Sequence, residues 1–431
     1  MENKKENRFL VFDLLRGVAV LLMILSHSVY FFSDYSNGFL RGAEWFGNTV
    51  CFVTFVLVSG AVSYIAYLSR DNFSESKKRI IRRLLAFLGG YYFLAFFVKF
   101  SDISALSGYN EVKAIFNILL LRDLPSYTEY IPPFLVFSLL LIIFNKPLKN
   151  ILKKPFLIIA SALILYMIGY FGYLLPVGEF LLPWKAFLVG AEGFYRFPII
   201  QYSPIFLIGL YWGKVILEEK DREFSKDLPL NLGGIFLLIF LSLFVAGRWS
   251  EGFNPDIFLR WPPSIGFLSF GLLFSFLLAY FFGIVKYLKK QLLLRDFLIV
   301  LGQNAFSIFW AHLLILNFYR MAGGSKVDSL FLFFLLFILV IVISLSLSTF
   351  IPFNFRFGLT LQRKCREDEA ECMESEPIYR LGEEFYQSGK RDYSKLVHFF
   401  FPRSDGSSRK KRLIKKRHLI FILLIAMIFS Y

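Results

Sequence analysis

The amino-acid sequence predicts an all-α, polytopic integral membrane protein with about ten transmembrane helices and a partial eleventh at its C-terminus. Hydrophobic residues form 56% of the chain, above the roughly 45–50% that is usual for a soluble domain. Apolar runs long enough to cross a hydrocarbon core of ~30 Å recur along the sequence. Clusters of lysine and arginine separate these runs, which is typical of the short cytoplasmic loops of membrane proteins.

Ten apolar segments are predicted to cross the membrane. The first is too long for a cleaved signal peptide and no small-residue cleavage site follows it, so we expect a retained helix. A shorter run at 114–121 is predicted to form a half-helix or a re-entrant piece. The ten predicted helices span residues 9–33, 46–68, 84–98, 127–144, 156–175, 197–212, 230–246, 263–284, 297–319 and 329–351.

The distribution of basic residues predicts the orientation in the membrane. With a cytoplasmic N-terminus, the cytoplasmic segments carry about one Lys or Arg in three residues and the outer loops about one in nine. We therefore expect a multi-pass protein of the cytoplasmic (inner) membrane whose N-terminus is cytoplasmic. The net charge of +16 does not indicate nucleic acid as a partner, because the basic residues flank apolar runs and no basic polar domain is evident.

The sequence divides into three regions. Residues 1–351 form the predicted ten-helix core, and residues 352–418 form a charged region that we expect in the cytoplasm. This region ends in RKKRLIKKRH, a basic run that favours contact with anionic membrane lipid. Residues 419–431 are apolar but would cover only about 20 Å as a helix, so they are predicted to form part of an eleventh helix.

The first predicted helix carries three polar residues, Asp13, Arg16 and His27. Charges inside a span are costly, so each residue is a functional candidate. At about 100° per residue, Arg16 and His27 share one face of the helix and lie ~16 Å apart along its axis, with Asp13 one turn below Arg16. Imidazole titrates near neutrality, so His27 is a candidate general base. The alternative is a simple Asp13–Arg16 ion pair and a histidine that serves packing.

Other positions have both a functional and a structural interpretation. Arg79 and Arg82 lie one helical turn apart and can meet one phosphate group, or they only set the orientation. Ser59 ends an apolar run with Gly60, a pattern that also serves close helix packing. His312 is a second intramembrane imidazole, which by itself is more typical of packing than of catalysis. The three cysteines are too few and too scattered to predict a metal site.

Five segments, taken in order, resemble the membrane acyltransferase-3 family, within the broader transmembrane acyltransferase superfamily. The first contains an arginine, ten intervening residues and a histidine, here Arg16 and His27. The second is a phenylalanine-containing run that ends in Ser-Gly, and the third begins with Arg-x-x-Arg. The matching segments are RFLVFDLLRGVAVLLMILSH (8–27), TFVLVSGAVSY (54–64), RIIRRLL (79–85), YSPIFLIGLYWGK (202–214) and LGQNAFSIFWAH (301–312).

The resemblance implies a membrane-bound, acyl-CoA-dependent O-acyltransferase. The expected donor is cytoplasmic acetyl-CoA, and the expected acceptor is a hydroxyl of an extracytoplasmic glycan or glycolipid. The cationic face at Arg79 and Arg82 would hold the CoA phosphates, and Arg16 would stand near the pantetheine arm or thioester. The other implied site residues are His27 as general base, Asp13 as the partner that orients Arg16, and His312 and Ser59 as auxiliary groups.

Three alternatives remain open. A related group that acetylates amino sugars on nitrogen across a membrane has a similar first helix. A proton-coupled transporter or flippase would use Asp13, Arg16 and His27 as a proton relay. A scaffold without activity would not need Arg16 and His27 in register. Four outer-loop aromatic residues are further candidates, for stacking on sugar rings, although such residues are also common at membrane interfaces: Trp184, Tyr195, Trp249 and Trp261.

Overall fold

The computed structural model describes residues 3–34, 36–70, 72–104, 106, 108–194, 196–218, 227–249, 259–285 and 293–348. These residues form fourteen α-helices and no β-strand. The predicted charged region and the apolar C-terminal segment lie outside the described residues. The helices are α1 (Asn3–Phe32), α2 (Gly38–Ser63), α3 (Phe73–Ser104), α4 (Tyr109–Leu119), α5 (Ile131–Ile143), α6 (Asn145–Ile151), α7 (Pro155–Leu174), α8 (Leu182–Leu188), α9 (Ile199–Glu218), α10 (Asp227–Trp249), α11 (Ile265–Val285), α12 (Leu293–Gln303), α13 (Ala305–Met321) and α14 (Leu330–Ser348).

The predicted fold class, an all-α polytopic membrane protein, is confirmed. Within the described residues, seven helices are long and apolar enough to cross a membrane, or up to nine if each of two bent helix pairs is one span. The seven are α1, α2 with a π-helical turn at its end, α3, α7, α9, α11 and α14. In α10, the apolar stretch is the shorter Pro229–Ser242. The short apolar run at 114–121 is helical as far as Leu119, in α4, which begins already at Tyr109.

One of the predicted continuous helices is broken, and another is shorter than predicted. The segment predicted at 127–144 begins as a helix only at Ile131, where two prolines occupy the first turn, and it ends at Ile143; α6 follows at an angle of 88°. The segment predicted at 297–319 is two helices, α12 and α13, which meet at Asn304 with a bend of 86°. The Asn304 side chain donates a hydrogen bond to the Val300 carbonyl at 2.9 Å, so it competes with the helical hydrogen-bond ladder at the break.

The helix α1 lies at the centre of the bundle, where it contacts α2, α11, α12, α13 and α14. Its contact with α12 depends on two glycines. A Cβ atom on Gly17 would collide with the Leu298 carbonyl, and one on Gly302 would collide with the Asp13 carbonyl. The two backbones therefore approach more closely than larger side chains allow, as in other small-residue interfaces of membrane helices.

A second glycine contact joins α2 and α9. A Cβ atom on Gly60 would meet the Phe206 carbonyl, and one on Gly209 would meet the Leu57 carbonyl. The Ser-Gly motif therefore ends in a residue that packs two helices together, as its structural interpretation predicts.

Candidate active site

Two buried histidines from distant parts of the sequence meet inside the bundle. The Nδ1 atom of His27 lies 2.9 Å from Nε2 of His312, and the two rings are stacked with an interplanar angle of 13°. His27 is 3% exposed and His312 is completely buried. The sequence assigned His312 only an auxiliary place, whereas the structure makes it the direct partner of His27.

The hydrogen-bond network defines which nitrogen atoms carry the protons in this pair. Nδ1 of His312 lies 2.9 Å from the Ile308 carbonyl. A carbonyl oxygen only accepts, so this Nδ1 carries a proton, and Nε2 of the neutral His312 accepts. His27 therefore donates through Nδ1–H, and its own Nε2 is left with the lone pair. In this tautomer, Nε2 of His27 is the basic atom of the pair.

Aromatic side chains surround the histidine pair. The edge of Tyr127 packs on the His27 ring with centroids 4.6 Å apart, Tyr130 lies at 5.9 Å, and Phe309 lies 5.8 Å from His312. Tyr127 has a positive φ of 69°, which is costly for a residue other than glycine. Such strain often marks a functional position, because the surrounding structure must hold the residue in place.

Tyr130 links the histidine pair to a polar cluster that sequence reasoning missed. Its hydroxyl accepts a hydrogen bond of 2.8 Å from Nη2 of Arg260, whose guanidinium stacks on the Trp261 ring at 4.2 Å. Burial raises the pKa of the nearby Glu129 carboxyl to about 7. Glu129 lies in the turn before α5, outside the observed spanning helix. The sequence did contain a signal for it, since it is the one acidic residue of the predicted segment 127–144, and charges in such segments are functional candidates.

The other two polar residues predicted on α1, Asp13 and Arg16, form an ion pair toward its N-terminal end. Nη1 of Arg16 lies 3.2 Å from Oδ1 of Asp13, and their side chains are 27% and 13% exposed. The Gln303 side chain also lies within hydrogen-bonding reach of Asp13. Because Gly17 and Gly302 bring α12 so close, this ion pair is held at the contact between the two helices.

The arginines of α3 point in two directions. Arg82 is exposed, and Nη2 of Arg79 lies 3.9 Å from a carboxylate oxygen of Glu75. Arg83 turns inward, where its guanidinium donates to the Ser59 hydroxyl at 3.4 Å. Ser59 is thus placed beside a cation of the basic cluster and not beside the histidine pair.

Two of the aromatic candidates for sugar stacking, Trp184 and Trp261, are in contact with arginine side chains. Arg122 lies over the Trp184 ring at 5.5 Å, and Arg260 covers Trp261. Tyr195 lies outside the described residues, and the side chain of Trp249 is not described either. Among the residues that the structure describes, no group of three or more histidine, cysteine, aspartate or glutamate side chains is placed to hold a metal ion.

The helical fold defines a multi-pass membrane protein, and the buried histidine pair is its candidate active site. A family model described as an acyltransferase domain, that of the acyltransferase-3 family, matches residues 9–349. The match covers most of the 431 residues, so the chain belongs to the acyltransferase-3 family and is a membrane acyltransferase. No curated protein matches the chain.

Proposed function

We propose that the protein transfers an acetyl group from cytoplasmic acetyl-CoA to a hydroxyl of an extracytoplasmic glycan or glycolipid. The observation that carries this proposal is the histidine pair. Its hydrogen bonds leave Nε2 of His27 unprotonated in a water-poor interior, which suits a general base.

The proposed reaction is a direct transfer. Nε2 of His27 takes the proton of the acceptor hydroxyl while the hydroxyl oxygen attacks the thioester carbonyl carbon. The carbon–sulfur bond then breaks, and the proton returns from His27 to the CoA thiolate. His312 supports this cycle, since it accepts the Nδ1–H of His27 in both the neutral and the protonated state. A positioned base of this kind contributes about 10²–10⁴-fold in rate.

The donor is proposed to enter from the arginine end of the bundle. The exposed Arg82 and the partly exposed Arg79 would meet the CoA phosphates in charge-assisted hydrogen bonds. Arg16, held by Asp13 at 3.2 Å, would stand between that surface and the histidine pair. The ~16 Å along α1 from Arg16 to His27 suits an extended pantetheine arm.

This arrangement requires the arginine end to face the cytoplasm. Single cysteines at Lys185 or Asn254 should react with a membrane-impermeant thiol reagent applied from outside, and cysteines at Lys149 or Lys220 should not. The opposite labelling pattern would put the proposed donor site on the wrong face of the membrane.

The activity is tested with detergent-purified protein and acetyl-CoA. The wild-type protein should bind acetyl-CoA and release its thiol, and cells that express it should carry acetylated glycans that a His27→Asn strain lacks. Mass analysis of the glycans, before and after mild base treatment, separates base-labile O-acetyl esters from N-acetyl amides. A transporter or flippase would neither bind nor cleave acetyl-CoA, and that result would overturn the proposal.

A further inference from the structure

Three enclosed polar atoms in the polar cluster around Tyr130 have no hydrogen-bond partner among the described residues. They are Oε2 of Glu129, Nε of Arg260 and the hydroxyl of Tyr202. Buried polar atoms are paired in the great majority of cases, so an unpaired group calls for an explanation. The Phe197 ring lies 5.0 Å from the Arg260 guanidinium and 5.7 Å from the Tyr202 ring, and Glu129 directly precedes Tyr130, whose hydroxyl bonds Arg260, so the three groups lie in one neighbourhood.

Two tyrosines, Tyr130 and Tyr127, connect these polar groups to His27. The Tyr130 ring packs edge-on against His27, and its hydroxyl takes the hydrogen bond from Arg260. Tyr127 also packs against the His27 ring, and its backbone N–H reaches the Glu129 carboxylate. A molecule that contacts Glu129 and Arg260 is therefore held next to the candidate base.

The unpaired atoms have complementary chemistry. A carboxylate oxygen accepts a hydrogen bond, and the N–H at Nε of Arg260 donates one. Among the described residues no ion pair joins Arg260 to Glu129 or to another carboxylate. A hydroxyl group can donate to Glu129 and accept from Arg260 at the same time. An anionic ligand would be opposed by Glu129, and a cationic one by Arg260, so the chemistry favours a neutral hydroxylated ligand.

We propose that Glu129, Arg260 and Tyr202 form the acceptor subsite, which binds a neutral polyhydroxylated molecule such as a sugar through hydroxyls next to the one that reacts. This inference rests on the proposed function and adds the residues that bind the acceptor and their preference for an uncharged one. Both Glu129 and Arg260 come from segments that the predicted topology places at the outer face, the side from which an extracytoplasmic acceptor arrives. They are assigned binding, while the proton transfer stays with His27.

The test measures binding and does not depend on turnover. Methyl glucoside, glucose 6-phosphate and glucosamine are titrated by calorimetry into the full-length protein in detergent, without donor, at pH 8, above the raised pKa of Glu129, so that its carboxyl is ionised. The wild-type protein should bind the neutral sugar, and the anionic and cationic sugars should bind more weakly. Glu129→Gln, Arg260→Lys and Tyr202→Phe should each weaken methyl glucoside binding, by about tenfold or more for the two charged residues, because their hydrogen bonds are charge-assisted.

The controls come from the same predicted face. Glu111 and Arg320 are exposed, so Glu111→Gln and Arg320→Gln remove the same charges outside the cluster and should leave binding unchanged. All variants are compared at equal monodispersity in gel filtration. Arg260→Lys retains the charge, and Glu129→Gln retains the shape, which limits the loss of folded protein.

The outcomes separate this inference from the proposed function. Equal affinity of wild type, Glu129→Gln and Arg260→Lys for methyl glucoside overturns the subsite, as does the absence of binding by the wild type. Tighter binding of glucose 6-phosphate that Glu129→Gln strengthens would show an anion site instead. Sugar binding that depends on these residues, in a protein that never transfers acetyl from acetyl-CoA, would leave the subsite standing and overturn the acetyl transfer.

Discussion

The histidine end and the arginine end of the bundle are built in opposite ways. At the histidine end, the contacts join residues far apart in the chain: His27 and His312 are separated by 285 positions, and Tyr130 and Arg260 by 130. At the arginine end, the ion pairs are local, between Asp13 and Arg16 or between Glu75 and Arg79. The first end is enclosed and fixed by tertiary packing, and the second is partly exposed.

This difference fits the two tasks that we propose. A base must be held in one orientation relative to the reacting hydroxyl, so its partners come from several helices that pack together. A long, charged donor must enter and leave, so its phosphates are best met by exposed guanidinium groups on a single helix. Substitutions at the histidine end should therefore reduce the reaction rate, and those at the arginine end should weaken donor binding.

The largest effect is expected for His27→Ala. Glycan acetylation should fall by about 10²–10⁴-fold, because the general base is lost, while acetyl-CoA still binds. His27→Asn should be impaired to a similar degree, since an amide cannot take the proton. Binding and transfer are measured on the same preparation, with yield and gel-filtration profile as controls. A well-folded His27→Ala protein that acetylates normally would favour the packing histidine.

A smaller loss is expected for His312→Leu, roughly tenfold to a hundredfold in the rate constant, as for other groups that orient a functional histidine. His312→Gln should recover part of the rate, because its amide oxygen can accept the Nδ1–H of His27. In His312→Leu, the pH dependence of the transfer rate should change in shape as well as in maximum rate. Equal rates and equal profiles for the two variants would mean that His312 acts only through packing.

Replacing Arg79 and Arg82 together by Gln tests the arginine end. Each charge-assisted contact is worth roughly 1.5–3 kcal/mol, so acetyl-CoA affinity should fall at least tenfold, with little change in the transfer rate at saturating donor. The matched control is Arg320→Gln, an exposed arginine near the end of α13. Unchanged donor affinity would return Arg79 and Arg82 to a role in membrane orientation only.

The smallest effect concerns Glu129 and pH. Burial raises the pKa of this carboxyl from an ordinary 4.5 to about 7, against the opposing charges of Arg260 and Arg196. When the pKa of an acid is higher in the folded than in the unfolded state, the free energy of unfolding decreases as the pH rises from the unfolded to the folded pKa. The melting temperature of wild type relative to Glu129→Gln should therefore fall between pH 5 and pH 8, by a shift of about 2 °C per kcal/mol lost. A difference that is independent of pH would contradict the raised pKa.

The sequence alone predicted the fold class and one part of the candidate site, the polar face of α1. Apolar runs and helical periodicity are local properties, and they placed Asp13, Arg16 and His27 on one face of α1. The break between α12 and α13 was not predicted, since the apolar pattern continues through Gly302 and Asn304 and does not reveal that the Asn304 side chain bonds back to the Val300 carbonyl. The pairing of His27 with His312 is a tertiary contact between α1 and α13, so periodicity could not reveal it.

The contact of Gly302 with α1 also restricts insertions and deletions in the segment between Gly302 and His312. The helix α12 contacts α1 at Gly302, and α13 contacts it at His312, so the number of residues between these two contacts determines which way His312 points. One inserted or deleted residue in the first turns of α13 would rotate His312 by about 100° away from His27. Point substitutions on the outward faces of this segment should be tolerated, whereas single-codon insertions there should be lost under selection for acetyl transfer.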